Sequence, residues 1–210
     1  MGLHRAGFDV TGVDIKPQPR YPFTFIQADA MEYPLEGYDF IWASPPCQAY
    51  CSLKTMPNRR DHPELVDLMR ERLKEFPVWV IENVFGAPLL NPLMLCGSHF
   101  NLQASNGYQL RRHRYFESSF GLLNGQPCAH AARTVGVYGG KSRDIALEKR
   151  HYAQDKATRG EPVGVVLPKT VGFEAMGIDW MNMDELSEAI PPGVFRIHRQ
   201  ASARLYRITG

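Results

Sequence analysis

The chain has 210 residues, enough for one well-buried domain with a small appended lobe, since domains commonly run about 100–200 residues. Hydrophobic residues make up 44% and charged residues 22%, with a mean hydropathy of -0.31, a composition that excludes a disordered chain and fits a globular one. A formal charge of +2 decides nothing about nucleic acid, because polyanion footprints are local Lys/Arg clusters and not totals.

No apolar run approaches the roughly 20 residues of a membrane span. The opening Met1-Gly2-Leu3-His4-Arg5 has no signal-peptide core, so a cytoplasmic address is expected. In that setting the four cysteines, Cys47, Cys51, Cys96 and Cys128, read as reduced thiols and not as a disulfide framework.

The first predicted element is a buried strand over Phe8–Ile15, broken by Lys16-Pro17-Gln18-Pro19, with Asp14 at its C-terminal end. A second strand, Phe23–Ile26, stops at Gln27-Ala28-Asp29. A third, Tyr38–Ala43, runs straight into Ser44-Pro45-Pro46-Cys47. Asp61-His62-Pro63-Glu64 then has the make-up of a helix start, an N-cap followed by an early proline and a glutamate three residues on. Leu65, Val66, Leu68, Met69, Leu73 and Phe76 follow at helical spacing, giving an amphipathic helix that packs on a sheet. The strand Val78–Ile81 comes next and ends at Glu82-Asn83-Val84.

This alternation predicts a doubly wound α/β sheet, whose ligand crevice lies beyond the carboxyl ends of its strands. Asp14, Asp29, Cys47 and Glu82 all fall there. After Arg111–Phe116 the pattern weakens, and residues 117–168, with one plausible strand at Thr134–Tyr138, read as an inserted lobe. Helical patterning returns at Val171–Met181 and Asp184–Ile190 before Pro191-Pro192 stops it.

A cysteine behind two prolines at a strand end sits on a stiff turn at the crevice, where neighbouring backbone amides favour a thiolate. A cysteine packed as a small hydrophobe is the competing reading of Cys47 alone. Ser44-Pro45-Pro46-Cys47-Gln48, then Glu82-Asn83-Val84, then Arg112-His113-Arg114, in that order, resemble the DNA cytosine-5 methyltransferase family. Gly12-Val13-Asp14-Ile15, Gln27-Ala28-Asp29 and Ala189-Ile190-Pro191-Pro192 are similar to its flanking blocks. Glu174–Trp180 looks closest to phage-type members.

The resemblance implies a Rossmann-like methyltransferase domain over 1–116 and 169–193, a target-recognition lobe over 117–168, and an atypical tail over 194–210. It implies Cys47 as nucleophile, Glu82 as the acid at the ring edge, and Arg112 and Arg114 as orienting cations. S-adenosylmethionine is the implied cofactor, met by Asp14, Ile15, Asp29, Ala30 and Pro46. Double-stranded DNA is the implied partner of a monomeric chain that binds no membrane and no metal. Base flipping out of the duplex goes with that chemistry, and Lys54, Arg59 and Arg60 would lie on a loop that closes over DNA.

Three other readings stay open: a tRNA-methylating relative, a catalytically silent DNA-binding remnant, and a zinc or redox protein. For the last, Cys47/Cys51, Cys96/His99 and Cys128/His130 combine into a site only on paper, since structural zinc usually announces itself by paired short spacings.

The sequence also departs from the family. The first strand and its glycine-rich cofactor loop are absent, and the chain opens at what should be the following helix. Codons just upstream are expected to encode an Asp-Leu-Phe-type strand and a glycine-rich turn. Leu110 stands where the family has glutamine, with Gln109 one place earlier, and Glu188 stands where it has asparagine. The tail from Gly193 to Arg199 reads as a frameshift product.

Overall fold

A computed structural model describes residues 1–50, 62–122, 127–130, 133–139, 141–144 and 166–195. Cys51, Lys54, Arg59, Arg60, Asp61, most of the second half of the expected lobe and the tail beyond Phe195 lie outside the described residues. In chain order the elements are helix α1 (Gly2–Arg5), strands β1 (Thr11–Asp14), β2 (Thr24–Gln27) and β3 (Ile41–Ala43), and helix α2 (Val66–Leu73). Strands β4 (Trp79–Asn83), β5 (Leu93–Leu95), β6 (Gln109–Leu110) and β7 (Arg114–Ser118) follow. Strands β8 (Thr134–Tyr138), β9 (Lys141–Asp144) and β10 (Val166–Leu167) precede helices α3 (Lys169–Met176) and α4 (Met183–Glu188).

The chain forms two compact units, one of Thr11–Leu95 with His113–Gln126, the other of Met1–Val10, Cys96–Arg112 and Pro127–Gly210. In the first, β1 pairs parallel with β2, and a separate sheet runs β3-β4-β7-β5. Strands β3 and β4 are parallel, whereas β7 lies antiparallel to both β4 and β5. Where the sequence suggested one continuous doubly wound sheet, this unit has a parallel pair and a separate four-stranded ladder of mixed direction.

Alternation along β4 sorts its two faces. Trp79 and Ile81 pack with Ala43 of β3 and with Met69 and Leu73 of α2. Val66, Met69 and Leu73, at i, i+3 and i+7, are the buried stripe of that helix. The helix begins later than Pro63 and Glu64 suggest: residues 62–65 are non-helical and Leu65 is its cap. A bidentate ion pair fastens it to β7, Arg70 Nε and Nη2 donating to Glu117 Oε1 and Oε2 at 2.6 and 2.8 Å.

In the second unit the sheet order is β10-β9-β8-β6. Its core joins Leu110, Val135 and Val137 to Val171, Ala175 and Met176 of α3 and to Met183 and Leu186 of α4. Residues read as lobe and residues read as catalytic domain therefore share one core. Helix α3 is shorter than the 171–181 pattern suggests because Gly177 takes the left-handed conformation, φ 64°, that closes a helix. Helix α4 starts on a reciprocal capping box, Asn182 Oδ1 accepting from Glu185 N and Glu185 Oε2 from Asn182 N, each at 2.9 Å.

Candidate active site

Three short stretches of the first unit build the site. Register pairs Ala43 with Ile81, so β3 and β4 end side by side and release Ser44-Pro45-Pro46-Cys47 next to Glu82-Asn83. Asn83, 1% exposed, holds the turn: its Nδ2 donates to Pro45 O at 2.9 Å and its Oδ1 accepts from Val84 N at 2.9 Å. Pro45 is buried, Pro46 exposed and Cys47 half-buried. Beyond Cys47 the backbone turns back, Tyr50 N donating to Cys47 O at 3.0 Å. The Tyr50 side chain packs with Ala49 and Val66 and accepts from Val66 N at 3.2 Å, and burial raises its phenol pKa. The proline turn is thereby anchored on both sides of the thiol.

Glu82 faces away from α2. It stands opposite Phe116 across the antiparallel β4–β7 pair, so Arg114, two residues before Phe116, is its diagonal neighbour on the same face. Arg114 Nε donates to Glu82 Oε1 at 2.9 Å, with the two side chains 13% and 7% exposed. A carboxylate this deeply buried needs such a partner, since an unpaired charge there would cost several kcal/mol. Trp42 and Phe116, 5.7 Å apart between ring centres, form the apolar wall on this face.

The two arginines expected as a pair do different work. Arg112, 3% exposed, belongs to the other unit, where Nη1 donates to Val137 O at 2.9 Å and Nη2 to Ser187 O at 2.7 Å. Its guanidinium tethers β8 to the end of α4.

Asp14 is the last residue of β1, and Asp29 follows two residues after the end of β2. Asp14 accepts from Lys16 N at 2.8 Å and Gln18 Nε2 at 3.1 Å, and Asp29 accepts from Met31 N at 2.8 Å. Both therefore shape turns. Each carboxylate oxygen still has a further lone pair, because one oxygen can accept two hydrogen bonds. Ile15 is 64% exposed beside Asp14, and Ala30 is exposed beside Asp29.

One feature escaped the sequence reading. Phe85, 78% exposed, leans on Tyr115 with ring centres 5.8 Å apart, one residue beyond Glu82-Asn83-Val84. An exposed aromatic directly after a strand-end acid was the signal available. Residues that the zinc reading had combined only on paper bear on the expectation of no metal: Cys96, Cys128 and His130, all of one unit, come together as a group that could hold an ion. Burial, and after it the Cys96 sulfur, raises the Cys128 thiol pKa. Spacing had suggested Cys96 with His99, but His99 Nδ1 accepts from the backbone N–H of Cys96 at 3.3 Å.

No protein-family model and no curated protein matches the chain. Solved structures do. A mutant of Spodoptera frugiperda DNMT2 superposes with a TM-score of 0.56 at 11% identity, covering 98% of this chain and 95% of that one. The S. pombe Dnmt2 methyltransferase gives 0.57 at 12%, covering 98% and 96%. A protein named as a DNA modification methyltransferase encoded within prophage Cp of E. coli gives 0.55 at 15%, covering 97% and 94%. The chain thus has a mixed α/β fold of the methyltransferase kind, and at these identities the likeness concerns fold alone. Among the described residues no helix is long and apolar enough to cross a membrane.

Proposed function

We propose that this chain is a cytosine-5 methyltransferase core acting on DNA, with Cys47 as nucleophile and Glu82 as the acid. The observation that carries the reading is the buried Glu82–Arg114 pair at the end of β4, beside a proline turn that presents a half-buried thiol and is pinned to β4 through Asn83. A paired acid and a tethered cysteine at adjacent parallel strand ends are what attack on an electron-poor ring requires.

The Cys47 thiolate adds to C6 of a flipped cytosine, and the electron pair of the C5–C6 bond becomes available at C5. Glu82 shares a proton with N3 and takes up the charge pushed there, while Arg114 keeps the carboxyl group in place. C5 then accepts the methyl group. Loss of the C5 proton to water and expulsion of Cys47 from C6 restore the aromatic ring and return the thiolate.

S-adenosylmethionine supplies an electrophilic methyl when bound. The strand-end residues fit its adenosine half: Asp14 has acceptor capacity left for ribose hydroxyls, exposed Ile15 gives an apolar plate for the base, and Asp29 with Ala30 borders it, while Pro46 stands exposed next to Cys47. Arg112 acts in this reading through its own unit, where it holds β8 to the end of α4.

DNA is favoured over tRNA by the phage-type residues Glu174–Trp180 and by the likeness to a prophage protein named as a DNA methyltransferase. The test is transfer of labelled methyl from S-adenosylmethionine to duplex DNA and, in parallel, to tRNA. Label in DNA cytosine that disappears in Cys47→Ser supports the proposal. Label only in tRNA, or label in DNA that survives Cys47→Ser, contradicts it.

A further inference from the structure

We infer that Cys96, Cys128 and His130 form a zinc site with a structural role, independent of the proposed catalytic reading. The donor atoms of the three lie within 4.8 Å of one another, with Cys96 Sγ and His130 Nε2 at 3.4 Å. Zinc held tetrahedrally by a thiolate at about 2.3 Å and an imidazole at about 2.0–2.1 Å sets that sulfur and nitrogen about 3.5 Å apart, and two sulfurs about 3.8 Å apart. The observed separation already has the span that the ion imposes.

Local structure prepares the ligands. Cys96 is 1% exposed and opens a short 3-10 turn over Gly97–Phe100, in which its side chain accepts from the backbone of His99 while the His99 ring accepts from its N–H. An amide aimed at sulfur favours the thiolate that zinc needs. Gly97 is demanded by packing: a Cβ there would lie 2.4 Å from Leu110 O. The Cys96 turn is thus pressed onto β6, while Cys128 and His130 come from the segment that leads into β8. Strands β6 and β8 pair in parallel. A metal joining these three residues therefore clamps the lead-in of β8 onto the turn packed against its partner. Three protein donors leave the fourth position to water or to another donor of the chain.

Elemental analysis of the full chain purified without chelators tests this. The expected result is about one zinc per chain. Substitution by cobalt should give the thiolate charge-transfer and tetrahedral ligand-field bands. Cys96→Ser, Cys128→Ser and His130→Ala should each lose most of the metal, and a chelator should lower the melting temperature of the unsubstituted chain. That last readout is independent of whether any variant folds. Zinc well below stoichiometric, metal content indifferent to Cys128→Ser and His130→Ala, or a Tm unmoved by chelator would each overturn the proposal.

Discussion

Glu82 and Arg114 owe their meeting to sheet geometry: on an antiparallel pair the diagonal neighbours of one face are within reach of long side chains. Because Glu82 is buried, removing Arg114 strands its charge. Arg114→Ala is expected to destabilise the chain by about 3–5 kcal/mol, the typical cost of breaking a buried pair. Glu82→Gln keeps the shape and removes the charge, so it should fold while lowering kcat by about 10²–10⁴-fold, the usual weight of a general acid. Denaturant melts with single-turnover methyl transfer check both; a Glu82→Gln chain as active as the parent would remove Glu82 from the reaction. At this scale the sequence was informative for Cys47 and Glu82, because strand ends are legible from β-branched runs and prolines. It was less informative for Arg112 and Arg114, two residues apart in the chain but with guanidinium groups in different hydrogen-bond networks.

Helix α2 is held by more than its apolar stripe. Arg70 reaches Glu117 in the middle of β7, and that hydrogen-bonded pairing raises the Arg70 pKa further, so the guanidinium is charged at any working pH. Glu117, 5% exposed, also accepts from Leu90 N at 2.8 Å. Arg70→Ala should therefore cost several kcal/mol, whereas Lys74→Ala, whose Glu71 partner is on the exposed face, should stay within about 0.5 kcal/mol. Equal effects in urea melts would mean that the buried pair contributes nothing.

Strands β3, β4 and β8 were legible because runs such as Phe40-Ile41-Trp42 and Val135-Gly136-Val137 carry β-forming residues. Strand β9 was not: Lys141-Ser142-Arg143-Asp144 is wholly polar, yet Ser142 and Asp144 are buried, with Asp144 accepting from Tyr108 Oη at 2.7 Å. Strand β7 was hidden for a similar reason, its Arg114 and Glu117 being charges satisfied by distant partners.

On the scale of the whole molecule, the α/β character of the fold was readable from strand–helix alternation, while the split into separate ladders was not, since ladder continuity depends on tertiary neighbours. The grouping of Cys96 with Cys128 and His130 was weak in the sequence because Cys96 and His130 are 34 residues apart, and it is the fold that brings them together. The second unit has its own pH signature. Ser105 donates through N and Oγ to Glu174 Oε2 at 2.9 and 2.7 Å, holding that carboxyl below its ordinary pKa of 4.5. A folded pKa below the unfolded one gives stability that is present above pH 4.5 and lost as pH falls through the folded value. Glu174→Gln should accordingly flatten the acid limb of the stability curve below pH 4.5 and leave its shape above that unchanged; an unaltered acid limb in melts from pH 7 to 3 would contradict the assignment.

The proposed reaction turns on a bond between one sulfur and one ring carbon. A DNA duplex carrying 5-fluorocytosine blocks loss of the C5 substituent, so an enzyme that attacks C6 through cysteine and methylates C5 remains attached. Incubation with S-adenosylmethionine followed by denaturing electrophoresis and peptide mass analysis should find a DNA adduct on Cys47, absent in Cys47→Ser and absent without the methyl donor. A chain that binds the duplex and the donor yet forms no adduct, or one whose adduct maps to another residue, would contradict the account.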